Sequence, residues 1–100
     1  MRQGDVFLQK VHGVPNGSKR LEKGKRVILK EGEATGHMHE ILEVDNIEIH
    51  QDAEGNLYLE VLEESTLVHP EHSEIKIGPG VYEIPRQVEY TPAELKNVAD

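Results

Sequence analysis

Cysteine is absent from this 100-residue chain, and so is tryptophan. Without cysteine there is no disulfide framework, no thiolate zinc site and no cysteine nucleophile, so any metal ion must be bound through nitrogen and oxygen atoms. No segment approaches the about 20 apolar residues of a transmembrane helix. The N-terminal MRQGDVFLQK also lacks the apolar run of a signal peptide. We therefore expect one soluble, cytoplasmic β domain over residues 1–100, with no membrane partner.

Basic residues are missing from the middle of the chain. The segment from Glu31 to Ile75 contains no Lys or Arg, but it holds 13 of the 19 acidic residues and five of the six histidines. A net charge of −8 argues against general nucleic-acid binding, because such binding requires a basic face. An acidic segment that is rich in histidine attracts cations, although most of its carboxylates are expected to be solvated.

Short alternating segments, interrupted by glycine and proline, predict an all-β fold. The clearest hairpin joins Ile47–His50 to Leu57–Leu62 through the sequence DAEGN, in which Gly55 supplies the positive φ of a short turn. The other strand-like segments are residues 5–11, 27–30, 37–44, 66–69, 75–77, 81–84 and 86–90. About eight short strands at this spacing indicate a small β-barrel or sandwich.

The last ten residues, TPAELKNVAD, carry the only good helix signal. Thr91 is a suitable N-cap, Pro92 occupies the first helical position and Glu94 completes a capping box. The pattern predicts a short C-terminal helix over residues 91–100, which would need packing against the rest of the domain to persist.

A basic segment, Lys19–Arg26, holds five of the 11 basic residues of the chain. It could bind an anion or a nucleic acid. Charge alone is a weak motif, however, and we interpret the segment as a solvated loop.

Two histidine pairs carry the functional signal. His37 and His39 lie two residues apart on a predicted strand, so both rings are expected on the same face. His69 and His72 flank a proline turn, which would bring residues three apart to the same side. Neutral imidazole suits zinc, iron, nickel and copper. We predict that the four histidines bind one divalent transition-metal ion, zinc first, with nickel or iron as alternatives. Four ligands would close a structural site, whereas three and a water would leave a catalytic one.

Three carboxylates are further candidates as oxygen ligands or as a general base, namely Glu40, Glu43 and Glu83. Glu43 would share the face of the first histidine pair if its strand ran unbroken. For all three, a solvated carboxylate is the alternative interpretation. His50 alternates with apolar residues and is expected to face solvent, and His12 adjoins a loop.

Some of these residues resemble the motifs of cupins. The first cupin motif is a glycine, an HxH and a glutamate, which correspond to Gly32, His37, His39 and Glu43, with the glycine one residue too close. The second motif is a PxG followed by a histidine. Here Pro79-Gly80 lacks the intervening residue, and Glu83 stands where the histidine would fall. The resemblance implies a metal ion in a small β-barrel and supplies no reaction.

A second resemblance spans nearly the whole chain. The segments RQGDV, GEATGHMH, HPEH, GPGVYEIPRQVEY and TPAELKNVAD are similar to those of a family of short, uncharacterised bacterial proteins. This resemblance implies no activity.

Three functions remain open from the sequence. The first is a metal-binding domain whose ion is structural or docks a ligand. The second is a metal-dependent, cupin-like enzyme with an open coordination position beside a pocket. The third is a metal-free interaction module that acts through sheet edges, with a homo-oligomer as one form it could take; separation of the two histidine pairs would favour it.

Overall fold

The computed structural model describes residues 1–3, 6–31, 38–86 and 88–92 of the chain. These ranges form short strands and one 3₁₀ turn, Val44–Asn46. The strands are β1 (Arg2–Gln3), β2 (Val6–Phe7), β3 (Gln9–Val11), β4 (Lys19–Leu21), β5 (Val27–Glu31), β6 (Met38–Ile41), β7 (Ile47–Gln51), β8 (Leu57–Val61), β9 (Ser65–His69), β10 (His72–Ile77), β11 (Gly80–Ile84) and β12 (Val88–Pro92). The all-β prediction is therefore confirmed.

Two five-stranded antiparallel sheets form the body of the fold. Sheet I has the order β10-β9-β6-β5-β12, and sheet II has the order β3-β11-β8-β7-β4. The short strands β1 and β2 pair with each other as a separate hairpin. In the described part of the chain the outer strands of the two sheets do not pair, so the sheets are not closed into a barrel. Of the two architectures predicted, barrel and sandwich, the barrel is wrong.

One hydrophobic core joins the two sheets. Alternate residues of each strand point toward it, as period two requires for a sheet with one buried face. Sheet I contributes Val27, Leu29, Ile41, Leu67, Ile77 and Val88, and sheet II contributes Ile47, Ile49, Leu59, Val61, Tyr82 and Ile84. Val6 and Leu8 of the N-terminal segment join the same cluster. His39, which is buried and lies two residues before Ile41 in β6, faces this core.

The predicted central hairpin is confirmed. β7 pairs with β8 in the register Ile47↔Val61 to Gln51↔Leu57. Gly55 lies in the turn with a φ of 89°, which is accessible to glycine and unfavourable for residues with a Cβ. The alternation places Ile47 and Ile49 in the core.

The predicted C-terminal helix is wrong at its start. Thr91 and Pro92 are the last two residues of β12, where they pair with Ile28 and Val27 of β5. Cross-strand pairing on a buried sheet outweighs a local capping box, whose contribution to stability is small without packing. The remainder of the predicted helix, residues 93–100, lies outside the described residues.

Three other segments differ in detail from the prediction. The first predicted strand, residues 5–11, is interrupted at Leu8 between β2 and β3, and its residue 5 lies outside the described ranges. The predicted strand 37–44 ends at Ile41, because the chain then turns into the 3₁₀ turn. The basic segment is not simply a solvated loop, since its first three residues form edge strand β4 against β7. Among the described residues, no helix is long and apolar enough to cross a membrane.

Candidate metal centre

Three of the four predicted ligands lie side by side on the core face of sheet I. In β6, His39 and Ile41 are fully buried and Met38 is exposed, which is the alternation typical of a strand with one buried face. The neighbouring strand β9 contributes His69, which is 8% exposed, and β10 contributes His72, which is exposed. The ring centroids of His39 and His69 are 4.5 Å apart, and those of His69 and His72 are also 4.5 Å apart. We call these three residues the histidine row. It crosses three adjacent strands, from the core to the surface.

The strand register explains why these rings meet. Glu40 of β6 is paired with Val68 of β9, and continuing this antiparallel register by one residue places His39 opposite His69. His69 in turn is paired with His72. Cross-strand neighbours on one face have Cβ atoms about 4.5–5.5 Å apart, which is the distance over which two imidazoles touch.

The second histidine pair is brought together by a tight turn. Pro70 and Glu71 are the two turn residues between β9 and β10, so His69 and His72 become cross-strand partners. Proline presets the φ needed at the second residue of such a turn. The predicted turn and the predicted proximity of this pair are therefore both observed, in a β-hairpin rather than a helical turn.

A glutamine that the sequence did not single out fixes the orientation of the innermost ring. Gln3 is 2% exposed, and its Nε2 donates to the backbone carbonyls of Leu67, at 2.9 Å, and Ser73, at 2.8 Å. Both amide hydrogens are thus used, and the amide oxygen faces Nδ1 of His39 at 2.8 Å. An amide oxygen only accepts, so Nδ1 of His39 must carry the hydrogen. In the neutral ring, the lone pair that can bind a metal ion is then on Nε2.

The middle ring has the opposite arrangement. The backbone N–H of Glu71 donates to Nδ1 of His69 at 3.0 Å, so this nitrogen accepts and the hydrogen of the neutral ring is on Nε2. A metal ion would therefore compete with the Glu71 amide for the Nδ1 lone pair of His69, or would require the opposite tautomer of this ring.

The distances between successive rings suit binding of one ion, whereas the present ring orientations do not. Three imidazoles bound tetrahedrally to one zinc ion, at zinc–nitrogen distances of about 2.0–2.1 Å, have all three pairs of ring centroids about 5 Å apart. The pairs His39–His69 and His69–His72 are close to this, at 4.5 Å. His39 and His72 lie two strands apart, about 9–10 Å at the backbone, so their rings would have to tilt toward each other to share an ion. As the side chains stand, however, no group of three or more His, Asp or Glu residues within the described ranges is arranged to hold a metal ion. The fourth predicted ligand, His37, lies outside these ranges.

The candidate carboxylates are placed elsewhere. Glu40 points to the opposite face of sheet I, where Arg26 donates to its two oxygens at 2.9 and 2.8 Å. These hydrogen bonds hold the pKa of Glu40 below its ordinary value, which is the wrong direction for a general base at neutral pH. Glu83 is on β11 in sheet II.

Glu43 was expected to share the face of the first histidine pair only if its strand ran unbroken, and this condition is not met. Because β6 ends at Ile41, the carboxylate of Glu43 turns to Thr66, accepting from its backbone N–H at 2.6 Å and from its hydroxyl at 2.8 Å. The side-chain hydrogen bond from Thr66 lowers the pKa of Glu43. Glu43 thus ties the end of β6 to β9 and is not a ligand of the histidine row.

A groove of about 330 Å³ adjoins the histidine row on the opposite face of sheet I. It is lined by Arg26, Ile28, Met38, Glu40, Val68, His69 and Pro70. The Arg26–Glu40 ion pair lies in this mostly apolar groove. Arg26, the last basic residue of the segment Lys19–Arg26, is thus paired with a carboxylate.

Other members of the basic segment are also paired with carboxylates or carbonyls. Lys23 donates to the carbonyl oxygens of Val44 and Ile47, and its ammonium lies 3.8 Å from Glu48. Arg20 lies 3.9 Å from the same carboxylate. These contacts attach the segment to sheet II, which is a structural role.

The two remaining histidines are separate from the row. His50 is on the outer face of sheet II, as its alternation predicted, but its side chain is only 15% exposed because Nε2 lies 2.8 Å from a carboxylate oxygen of Glu60. It is thus less solvent-facing than expected. His12 is exposed in the loop that follows β3.

A family model described as "Domain of unknown function (DUF8820)" matches residues 2–87. This range contains both histidine pairs and every strand from β1 to β11. No curated protein and no solved structure matches the chain significantly. The family match agrees with the resemblance to uncharacterised small proteins, whereas the resemblance to cupins has no such support. The chain therefore belongs to the DUF8820 family.

Proposed function

We propose that this domain binds one divalent transition-metal ion, zinc before nickel or iron, at the histidine row. His39, His69 and His72 are the proposed ligands within the described residues, and His37 is the fourth ligand predicted from the sequence. The observation that carries the proposal is the row itself, in which three imidazoles from three adjacent strands lie with successive centroids 4.5 Å apart.

The energetic balance favours a metal ion over the present hydrogen bond of the middle ring. Releasing the Glu71 amide from His69 gives up one neutral hydrogen bond, which contributes about 0.5–1.5 kcal/mol net. The roughly 10–16 kcal/mol with which zinc-finger peptides bind zinc includes cysteine thiolates, which this chain lacks. Even a micromolar dissociation constant corresponds to about 8 kcal/mol, which exceeds the contribution of that hydrogen bond. A rotation of one ring is therefore a small cost against the coordination it permits.

The surrounding charge also favours a cation. The row lies in the part of the chain between Glu31 and Ile75, which has no Lys or Arg and 13 acidic residues. An excess of carboxylates lowers the electrostatic free energy of a bound cation, although Arg26 neutralises Glu40 beside the row and salt screens much of the effect at exposed positions.

Binding is favoured over catalysis, because the three carboxylates considered as proton carriers are placed away from the row. Glu40 and Glu43 are held by Arg26 and Thr66, and Glu83 belongs to the other sheet. The metal-free interaction module is also less favoured, since its criterion was separation of the two histidine pairs. Within the described residues, His39 of the first pair lies against His69 of the second.

The test is metal analysis of protein purified without a histidine tag, after incubation with excess zinc and removal of the free ion. We expect about one zinc per chain for the wild type and for His50→Ala, and loss of the bound metal for His72→Ala. His50→Ala is the matched control, because His50 is a histidine on the other sheet with a carboxylate partner of its own. A wild-type protein that retains no metal, or a His72→Ala variant that retains as much as the wild type, would contradict the proposal.

A further inference from the structure

Gln3 is a buried polar side chain whose hydrogen bonds all reach the three strands that carry the histidine row. Its Oε1 faces His39 of β6 at 2.8 Å. Its Nε2 donates to Leu67 in β9, two residues before His69, and to Ser73 in β10, one residue after His72. A single amide therefore contacts every strand of the row.

The direction of these bonds is decided by chemistry. The carbonyls of Leu67 and Ser73 are acceptors only, so the NH₂ of Gln3 must face them and its oxygen must face the ring of His39. Rotating the amide by 180° would place its oxygen against the two carbonyls and its NH₂ against Nδ1. Two carbonyl partners thus fix the amide, and the amide fixes the tautomer of His39.

We propose that Gln3 is the positioning residue of the metal site: it holds His39 as the Nδ1–H tautomer, so that Nε2 is the ligating atom. The inference rests on the proposed function, since it names the atom through which the innermost ligand acts. Histidine ligands of metal ions commonly donate their other ring N–H to a protein acceptor, which fixes the tautomer and the ring orientation. Gln3 is placed to be that acceptor.

The tautomer can be measured directly and without metal. Long-range ¹H–¹⁵N correlation spectra of the metal-free protein report which nitrogen of His39 carries the hydrogen when the ring is neutral. We expect Nδ1–H in the wild type. In Gln3→Leu, which offers no acceptor, we expect the Nε2–H form to become populated. In Gln3→Glu, burial against the carbonyls of Leu67 and Ser73 favours the protonated acid, whose O–H can donate to one of them while its other oxygen accepts from Nδ1, so we expect the Nδ1–H form to persist.

Metal affinity is the second measurement, by competition with a chromophoric zinc chelator. Loss of such an acceptor weakens metal binding about 10–100-fold, and we expect this for Gln3→Leu. Gln3→Glu should bind more tightly than Gln3→Leu, because it restores the acceptor even though the protonated acid can donate to only one of Leu67 and Ser73. Gln51→Leu is the control: Gln51 is a half-buried glutamine of sheet II with one long hydrogen bond of 3.5 Å, and its replacement should change neither readout.

The outcomes separate this inference from the metal proposal. A wild-type His39 that is neutral with its hydrogen on Nε2 would overturn the role of Gln3, whether or not metal binds and whether or not the variants fold. Equal zinc affinity for wild type and Gln3→Leu would overturn it as well. If the wild type binds no zinc but shows the Nδ1–H form, and Gln3→Leu loses that form, the metal proposal fails while Gln3 remains the residue that sets the tautomer.

Discussion

Replacing His72 by alanine is the most informative perturbation of the histidine row, because His72 is its exposed member. An exposed side chain at the edge strand β10 contributes little to the core, so the metal-free variant should be about as stable as the metal-free wild type. Any difference that appears when zinc is added must then come from coordination.

The expected magnitude follows from linkage between binding and folding. With free zinc at 100 times its dissociation constant, a site present only in the folded state adds about 2.7 kcal/mol to the free energy of unfolding. If removal of one ligand weakens binding about 100-fold, the same zinc concentration equals the new dissociation constant and adds only about 0.4 kcal/mol. A domain of this size shifts by about 4–8 °C per kcal/mol. Wild type and His72→Ala should therefore differ by roughly 10–20 °C in zinc.

His39→Ala provides a contrast with a different signature. His39 is fully buried, and its removal leaves the amide oxygen of Gln3 without its partner. A buried acceptor left unsatisfied costs about 1–3 kcal/mol, and the vacated volume adds to this cost. We expect this variant to be destabilised with and without zinc, whereas His72→Ala loses only the increment due to zinc.

The assay is thermal unfolding followed by circular dichroism, in the presence of chelator or of excess zinc at pH 7.5. Glu71→Ala is the matched control, since Glu71 is an exposed residue of the same turn, and its variant should keep the zinc increment. The reasoning is refuted if zinc raises the melting temperature of the wild type and of His72→Ala equally, or if it raises neither.

Three further results are expected. Zinc should shift the backbone amide resonance of Glu71 and speed its hydrogen exchange, because the ion competes for the lone pair of His69 to which this amide donates; an unchanged amide at zinc saturation would contradict this. Bound zinc should be released as the pH falls from 7.5 through about 6 to 5, because protons compete with the ion for the imidazole nitrogens. Dialysis at a series of pH values measures this, and zinc retained at pH 5 would contradict it. Glu43→Gln should lower the free energy of unfolding at pH 7 by at most about 1 kcal/mol, since the carboxylate is partly exposed. The folded-state pKa of Glu43 is lowered by Thr66, so its contribution is present above the unfolded pKa of about 4.3 and is lost as the pH falls through the folded value. Urea titrations of the two proteins should therefore converge as the pH falls through the lowered folded-state pKa of Glu43.

Much of sheet I and sheet II could be predicted from local patterns. The hairpin through Gly55 was evident because a turn signal stood between two alternating segments, and the Pro70 turn was evident for the same reason. The C-terminal helix was mispredicted where the local signal competed with a distant partner. Thr91 and Pro92 pair with residues more than 60 positions earlier, and no local pattern reports such a partner.

The candidate site shows the same division. The alternation around His39 predicted its face correctly, since period two is a local property. The positions of the carboxylates depend on where the strands end. Glu43 would lie beside the histidines only if the predicted strand continued beyond Ile41, and it does not. Gln3 could not have been found, because glutamine is usually exposed and its partners are the backbone carbonyls of residues far away in the chain.

The hydrogen bonds of Gln3 also determine when, during translation, the proposed metal site can form. Gln3 emerges from the ribosome before the two carbonyls that fix its amide, which are 64 and 70 residues further along the chain. Until Ser73 has been synthesised, the chain can present His37 and His39 to an ion but not the ring of His39 oriented by Gln3. The proposed metal site can thus assemble only after most of the domain has been translated, so the ion would be captured by the folded protein and would not guide its early folding.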